Sequence, residues 1–283
     1  MAKIVGIHGI AQQLEGPERL KMREWLPSLW DGLRLAGAPL PADHEFECAF
    51  YGELFRRAGT RAAGYPPLDA ADVQDEWETR MLLELWTQAA AQQPGIMTRP
   101  EDQTRAATPQ IVQRALYNLS KSRFFSGLAE RALIWNLKQV RQYLSDDSVR
   151  QQIQMLMGLV IGPDTRVVIG HSLGSIVAYE FLCAHPELEV KTFVTLGSPL
   201  GIRHLVFERL RPLPVDHRGI GPNVSYWFNL AAGGDVVALE KKLASLFGER
   251  VRDVPISNET RAHDVSAYLT ARETGAAIAS GLN

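Results

Sequence analysis

Apolar positions along the chain recur with two periods. Short alternating or β-branched runs at Lys3 to His8, His44 to Tyr51, Val167 to Ile169, Lys191 to Leu196, Val224 to Leu230 and Val251 to Ile256 predict strands. In the second run Phe46, Cys48 and Phe50 fall on one face. Helical spacing fills the gaps: around Pro17 to Leu35, through Ile176, Val177, Ala178 and Phe181, over Gly201 to Leu210, Val236 to Phe247 and Asp264 to Ile278. Pro17 suits the first turn of its helix, Gly37 with Pro39 suits the end, and Pro186 closes the helix that follows residue 172. Strands alternating with helices imply a mainly parallel sheet of about six strands with helices on both faces, because right-handed crossovers must cover it.

One region breaks the alternation. From about 52 to 160 the pattern is helical, at 69–92, 109–122, 125–144 and 147–160, punctuated by Tyr65-Pro66-Pro67 and Gln93-Pro94-Gly95. That is too long for one crossover. The last helix is expected to be the crossover, and about 52–146 a helical cap inserted into a single domain spanning 1–283. Trp77, Trp86, Phe124, Phe125, Leu128, Trp135 and Leu137 are expected mostly to fill its core, with a minority lining a pocket. Arg105, Arg114, Lys121, Arg123, Arg131, Lys138 and Arg141 face a single acid, Glu130, in sequence. A solvated helix face explains such a run; an anionic substrate, or peripheral contact with an anionic lipid surface or partner, is the other reading.

Composition narrows the classes. At 283 residues, 46% hydrophobic and 22% charged, the chain can bury a sizeable core, and a formal net charge of −2 gives no global attraction to nucleic acid. Cys48 and Cys183 are the two cysteines and read as small apolar residues, with neither a disulfide framework nor a metal site. No metal or organic cofactor is expected. The opening MAKIVGIHGI has neither an apolar run long enough for secretion nor a basic leader, no stretch approaches membrane-spanning length, and a cytoplasmic location is the expectation.

The chemistry gathers at Gly170-His171-Ser172-Leu173-Gly174, placed between a strand and a helix. A serine on so sharp a turn sits in a strained conformation with its hydroxyl clear of the sheet, beside the amino end of a helix that favours developing negative charge. A serine hydroxyl needs a base, and the base an orienting carboxylate. In open α/β sheets sites collect at the carboxyl ends of strands. Asp235, on the Ala231-Ala232-Gly233-Gly234 loop, and His263, beyond the last strand, meet that condition. His44, His185, His204 and His217 fall at element entries, Asp216 in a Pro-rich loop and Asp253 inside a strand; Asp264 is expected to point away, and Glu259 is the next acid to test. Backbone donors for an oxyanion are expected at Leu173 and at Ile10, in the loop after the first strand, with His8 and Gly9 supporting that loop. His171 is expected to point away from the serine.

The segments IVGIHGI, VVIGHSLGS, VTLGSPL, FNLAAGGDVVA and RAHDVSAYL, spread in this order over about a third of the chain, resemble the α/β-hydrolases of lipase and esterase type. The resemblance implies Ser172 as nucleophile, His263 as base, Asp235 as acid, Leu173 and Ile10 as oxyanion donors, and a sheet without the family's first two strands. The expected activity is hydrolysis of an ester or thioester with an apolar, small-molecule or lipid-like acyl part through an acyl-enzyme. An acyltransferase or cyclase using the same residues, and a non-catalytic binding or signalling protein on the same scaffold, are the alternatives.

Overall fold

In the computed structural model, which describes residues 2–13, 15–56, 65–99, 108–125, 128–258 and 261–282, six strands form one sheet. They are β1 (Ile4–Ile7), β2 (Phe46–Ala49), β3 (Val167–His171), β4 (Thr192–Leu196), β5 (Tyr226–Ala232) and β6 (Val251–Ile256). All neighbours pair in parallel, in the order β2-β1-β3-β4-β5-β6. Every residue of β1, β3 and β4 is buried, which is what a parallel sheet covered on both faces requires. Ile7 is level with Gly170, His171 with Leu196, Leu196 with Leu230 and Ala232 with Ile256. The loops leaving these strands therefore emerge along one edge.

The helices are α1 (Pro17–Leu20), α2 (Leu26–Leu35), α3 (Glu76–Gln92), α4 (Pro109–Lys121), α5 (Glu130–Ser145), α6 (Asp147–Val160), α7 (Leu173–Ala184), α8 (Ala244–Phe247), α9 (Val265–Thr270) and α10 (Arg272–Ala279). Between α1 and α2, Lys21–Trp25 continues the spiral as one wide π turn. Pro17 opens the spiral, and Gly37, at φ +70°, lies just beyond its end.

The pleat divides the sheet's side chains between two cores. Ile4, Val167, Val194 and Leu230 join Leu29, Leu33, Tyr268, Leu269 and Ile278 on the side of α2, α9 and α10. On the other side Phe193, Trp227, Tyr179 and Phe247 form an aromatic cluster, with Trp227 centred 5.2 Å from Phe193 and 4.9 Å from Phe247. Each fully buried side chain of this size contributes roughly 1.5–3 kcal/mol.

Three predicted helices after β4 are shortened or broken, each where side chains bond the main chain. Gly201 to Leu210 yields only one 3-10 turn, Phe207–Arg209. There Arg150 donates to the Arg209 carbonyl and Glu180 accepts the Arg211 N–H, drawing the main chain onto a buried ion pair. Val236 to Phe247 is helical only over α8. Asp235 accepts the N–H groups of Val237 and Ala238, Lys241 donates to the carbonyls of Asp235 and Ala238, and Asp253 accepts the N–H groups of Leu243 and Ala244, so α8 starts late. The last helix breaks at Ala271, φ −61° and ψ 135°, into α9 and α10, where the Thr274 hydroxyl holds the Tyr268 carbonyl at 2.6 Å.

The chain divides into two compact units, Met1–Arg56 with Asp147–Asn283, and Arg57–Asp146. The turn Gly52–Phe55 belongs to the unit with the sheet. In the second unit α3 packs against α4 and α5. Trp77, Trp86 and Leu137 are buried there, while Phe124, Phe125, Leu128 and Trp135 are half-buried. Glu78, 1% exposed, accepts from Lys138 Nζ at 3.0 Å and Arg141 Nε at 2.7 Å. Two cations of the basic run are thus spent inside this unit. Lys121 lies over Tyr117 and Arg123 over Phe124, and Arg105 falls outside the described residues. Among the described residues, no helix is long and apolar enough to cross a membrane.

Candidate active site

Ser172 lies between the last residue of β3 and the first of α7, with φ +53° and ψ −127°. A side chain in this left-handed region costs about 1–3 kcal/mol, so the surroundings must hold it there. Its N–H donates to the Leu196 carbonyl at 3.0 Å, and its carbonyl accepts from the Ser175 hydroxyl at 2.6 Å. Ser175 Oγ in turn lies 2.7 Å from Ser198 Oγ, which accepts from the Leu200 N–H. The flanking glycines are required by space. A Cβ on Gly170 would stand 2.5 Å from the Ser175 Cα, and one on Gly174 would collide with the Ile7 and His8 carbonyl oxygens.

The loop after β1 lies directly beside the serine. A Cβ on Gly9 would be 2.8 Å from Ser172 Cβ and 3.3 Å from Oγ. The ring of His8 holds this loop: Nδ1 is 2.6 Å from the Gly9 carbonyl, and Nε2 accepts the Tyr51 N–H at 3.1 Å. These partners assign the proton to Nδ1. Tyr51 stacks on the ring with centroids 4.1 Å apart and donates its hydroxyl proton to the His8 carbonyl. Burial lowers the His8 pKa from 6.5 to about 4, so the ring stays neutral. Leu173 is the first residue of α7, and its N–H is one of the donors a helix start leaves free. The N–H of Ile10 makes no hydrogen bond among the described residues.

Asp235 follows β5 and is fully buried; His263 follows β6. His263 Nδ1 and Asp235 Oδ2 are 2.8 Å apart. The same Oδ2 accepts from the Tyr268 hydroxyl at 2.8 Å, while Oδ1 accepts from the N–H groups of Val237 at 2.8 Å and Ala238 at 3.3 Å. Burial pushes the carboxyl upward, but the His263 charge and the bonds from His263, Tyr268 and Val237 hold it below its ordinary 3.8. An ionised carboxylate only accepts, so His263 donates from Nδ1, leaving the Nε2 lone pair in the neutral imidazole.

His171 lies against His263. Its Nε2 is 3.1 Å from the His263 carbonyl, and the two rings are centred 4.8 Å apart. Burial, then the neighbouring His263, lowers its pKa from 6.5 to about 3. Gly197, at φ +54°, closes the group: a Cβ there would stand 2.6 Å from Asp235 Oδ2 and 3.0 Å from His263 Nδ1.

The structure therefore joins Asp235 to His263, Gly9 to Ser172 and His171 to His263. Between Ser172 and His263 there is no hydrogen bond among the described residues. The competing side chains are engaged elsewhere or exposed: Asp253 caps α8, Asp264 caps α9, His185 is bonded to Glu187, and His44, His204, Asp216 and His217 are exposed. Glu259 lies outside the described residues. Tyr268, Ser175, Ser198 and Gly197 join the site in addition to the residues expected from the sequence. Tyr268 did carry a signal, being a polar-tipped aromatic five positions after His263. Among the described residues no three His, Cys, Asp or Glu side chains gather as a metal site, and both cysteines are free thiols. Compared with protein-family models, curated proteins and solved structures, the chain has no match.

Proposed function

We propose that the chain is a serine hydrolase of the α/β-hydrolase type, cleaving an ester or thioester with an apolar acyl part through an acyl-enzyme. The observation that carries the proposal is the bond between His263 and the buried Asp235 at the same sheet edge as the left-handed Ser172. Ser172 Oγ adds to the substrate carbonyl carbon as His263 Nε2 takes the hydroxyl proton. The carbonyl oxygen becomes an oxyanion that receives the N–H groups of Leu173 and Ile10, each such donor being worth about a hundredfold or more in rate. Asp235 holds the imidazole in the required tautomer and stabilises its positive charge. Collapse expels the alcohol or thiol, which takes the proton from His263; water then repeats the sequence on the acyl-enzyme and releases the acid.

A fluorophosphonate probe tests the assignment directly, since it phosphonylates an activated serine. Labelling of the native chain is expected, with none in Ser172→Ala and a fall in kcat for p-nitrophenyl esters of at least about ten-thousandfold. Undiminished labelling of the variant would sink the proposal. For an apolar acyl site, each added methylene in an ester series raises kcat/KM by up to about fourfold, the equivalent of about 0.8 kcal/mol.

A further inference from the structure

The Asp235 carboxylate has four hydrogen bonds, and one comes from a side chain outside the proposed Ser-His-Asp set. Tyr268 sits on α9 in the sheet's core, 0% exposed. Its oxygen lies 2.8 Å from Asp235 Oδ2 and receives the Ala232 N–H at 2.9 Å. A phenol has one proton. The Ala232 N–H can only donate, so it occupies a lone pair of the phenol oxygen, and the hydroxyl proton is directed at Oδ2. Burial and the Asp235 charge raise the Tyr268 pKa, which keeps that proton in place.

Two donors therefore compete for one carboxylate oxygen, His263 Nδ1 and Tyr268 Oη. Negative charge drawn toward the phenol is not available to the imidazole. The phenol also ties together the end of β5, the acid's loop and the helix after the base, so its geometry is set by three separate elements.

We propose that Tyr268 is a positioning residue that shares the Asp235 carboxylate with His263, fixing the carboxylate's rotation and limiting how strongly it holds the imidazole. This rests on the reading of His263 as the base. A residue that only filled space would leave the His263–Asp235 bond unchanged when its hydroxyl is altered. The remaining charged or titratable groups about the pair are His171 on β3, Lys241 in the loop after β5, and Arg261 and Asp264 beside His263; their bonds do not involve Oδ2.

The test reads the Nδ1 proton of His263 by NMR in histidine-labelled full-length protein, assigned with His263→Gln. In Tyr268→Phe the competing donor is gone, the Nδ1–H bond strengthens, and the proton resonance is expected to move downfield. With 3-fluorotyrosine incorporated at position 268 the phenol is a stronger donor that still receives the Ala232 N–H, and the resonance is expected to move upfield. This second variant keeps the core filled and carries the test if Tyr268→Phe does not fold. An unchanged resonance in a folded variant overturns the proposal. Loss of kcat by about tenfold in Tyr268→Phe, with KM little altered, is the expected kinetic counterpart. Fluorophosphonate labelling of Ser172→Ala separates the outcomes: labelling there ends the hydrolase reading, whereas the proton resonance reports on the carboxylate whether or not Ser172 reacts.

Discussion

His171 Nε2 lies 3.1 Å from the main-chain oxygen of His263, so the residue preceding the serine grips the loop that carries the histidine. The carbonyl can only accept, which places the His171 proton on Nε2. The strained turn and the loop after β6 are thereby coupled through one hydrogen bond.

Replacing that ring with an apolar one of similar size removes the bond and little else. His171→Phe is expected to lower kcat/KM for p-nitrophenyl acetate by about tenfold, the equivalent of a net hydrogen bond. Steady-state kinetics on a variant with native circular dichroism checks this; an unchanged kcat/KM would show that the bond does not position His263.

Acid stability follows from the two buried neutral histidines. His8 and His171 titrate at about 4 and about 3 in the folded chain, against an ordinary 6.5. Between pH 6.5 and about 4 the unfolded chain therefore binds more protons at these positions than the folded one, and stability falls as pH falls. The slope reaches about 1.4 kcal/mol per pH unit for each histidine. Asp235, held below its ordinary 3.8, acts in the same direction only at lower pH. Urea unfolding midpoints measured at pH 7, 6 and 5 are expected to decline, and to decline less in His8→Gln. Midpoints that stay level from pH 7 to 5 would contradict it.

Gly197 combines two constraints, φ +54° and a hydrogen where a methyl would meet Asp235 Oδ2 and His263 Nδ1. Gly197→Ala is expected to separate the two side chains, destabilise the fold by about 1–3 kcal/mol and reduce kcat more than KM. Thermal unfolding together with ester kinetics checks it. Full activity in the variant would mean that the Asp235–His263 contact tolerates displacement.

The strands were legible because β-branched runs such as Val167 to Ile169 and the alternation at Phe46, Cys48 and Phe50 are local signals of burial. The serine turn was legible for the same reason: its glycines, the strand before it and the helix after it are contiguous. Helices fall short of the pattern where side chains in or beside the segment capture the main chain. Val236 to Phe247 carries a helical pattern, yet Asp235, Lys241 and Asp253 take the backbone groups that helix would have used. Periodicity records which face is apolar, and it is silent about such competition.

What the amino-acid order alone determines here is the parallel αβ alternation, the left-handed seat for Ser172, and the strand-end positions of Asp235 and His263. Which groups meet there was decided by the sheet's register. Level ends at Ile7, Gly170, Leu196 and Leu230 bring Gly9 against Ser172, Gly197 against Asp235, and His171 against His263. Tyr268 reaches Asp235 because α9 packs its aromatic face into the core beneath the strand ends. These contacts join residues far apart in the chain, 33 positions for Tyr268 and Asp235 and 92 for His171 and His263, and only the assembled sheet makes them neighbours.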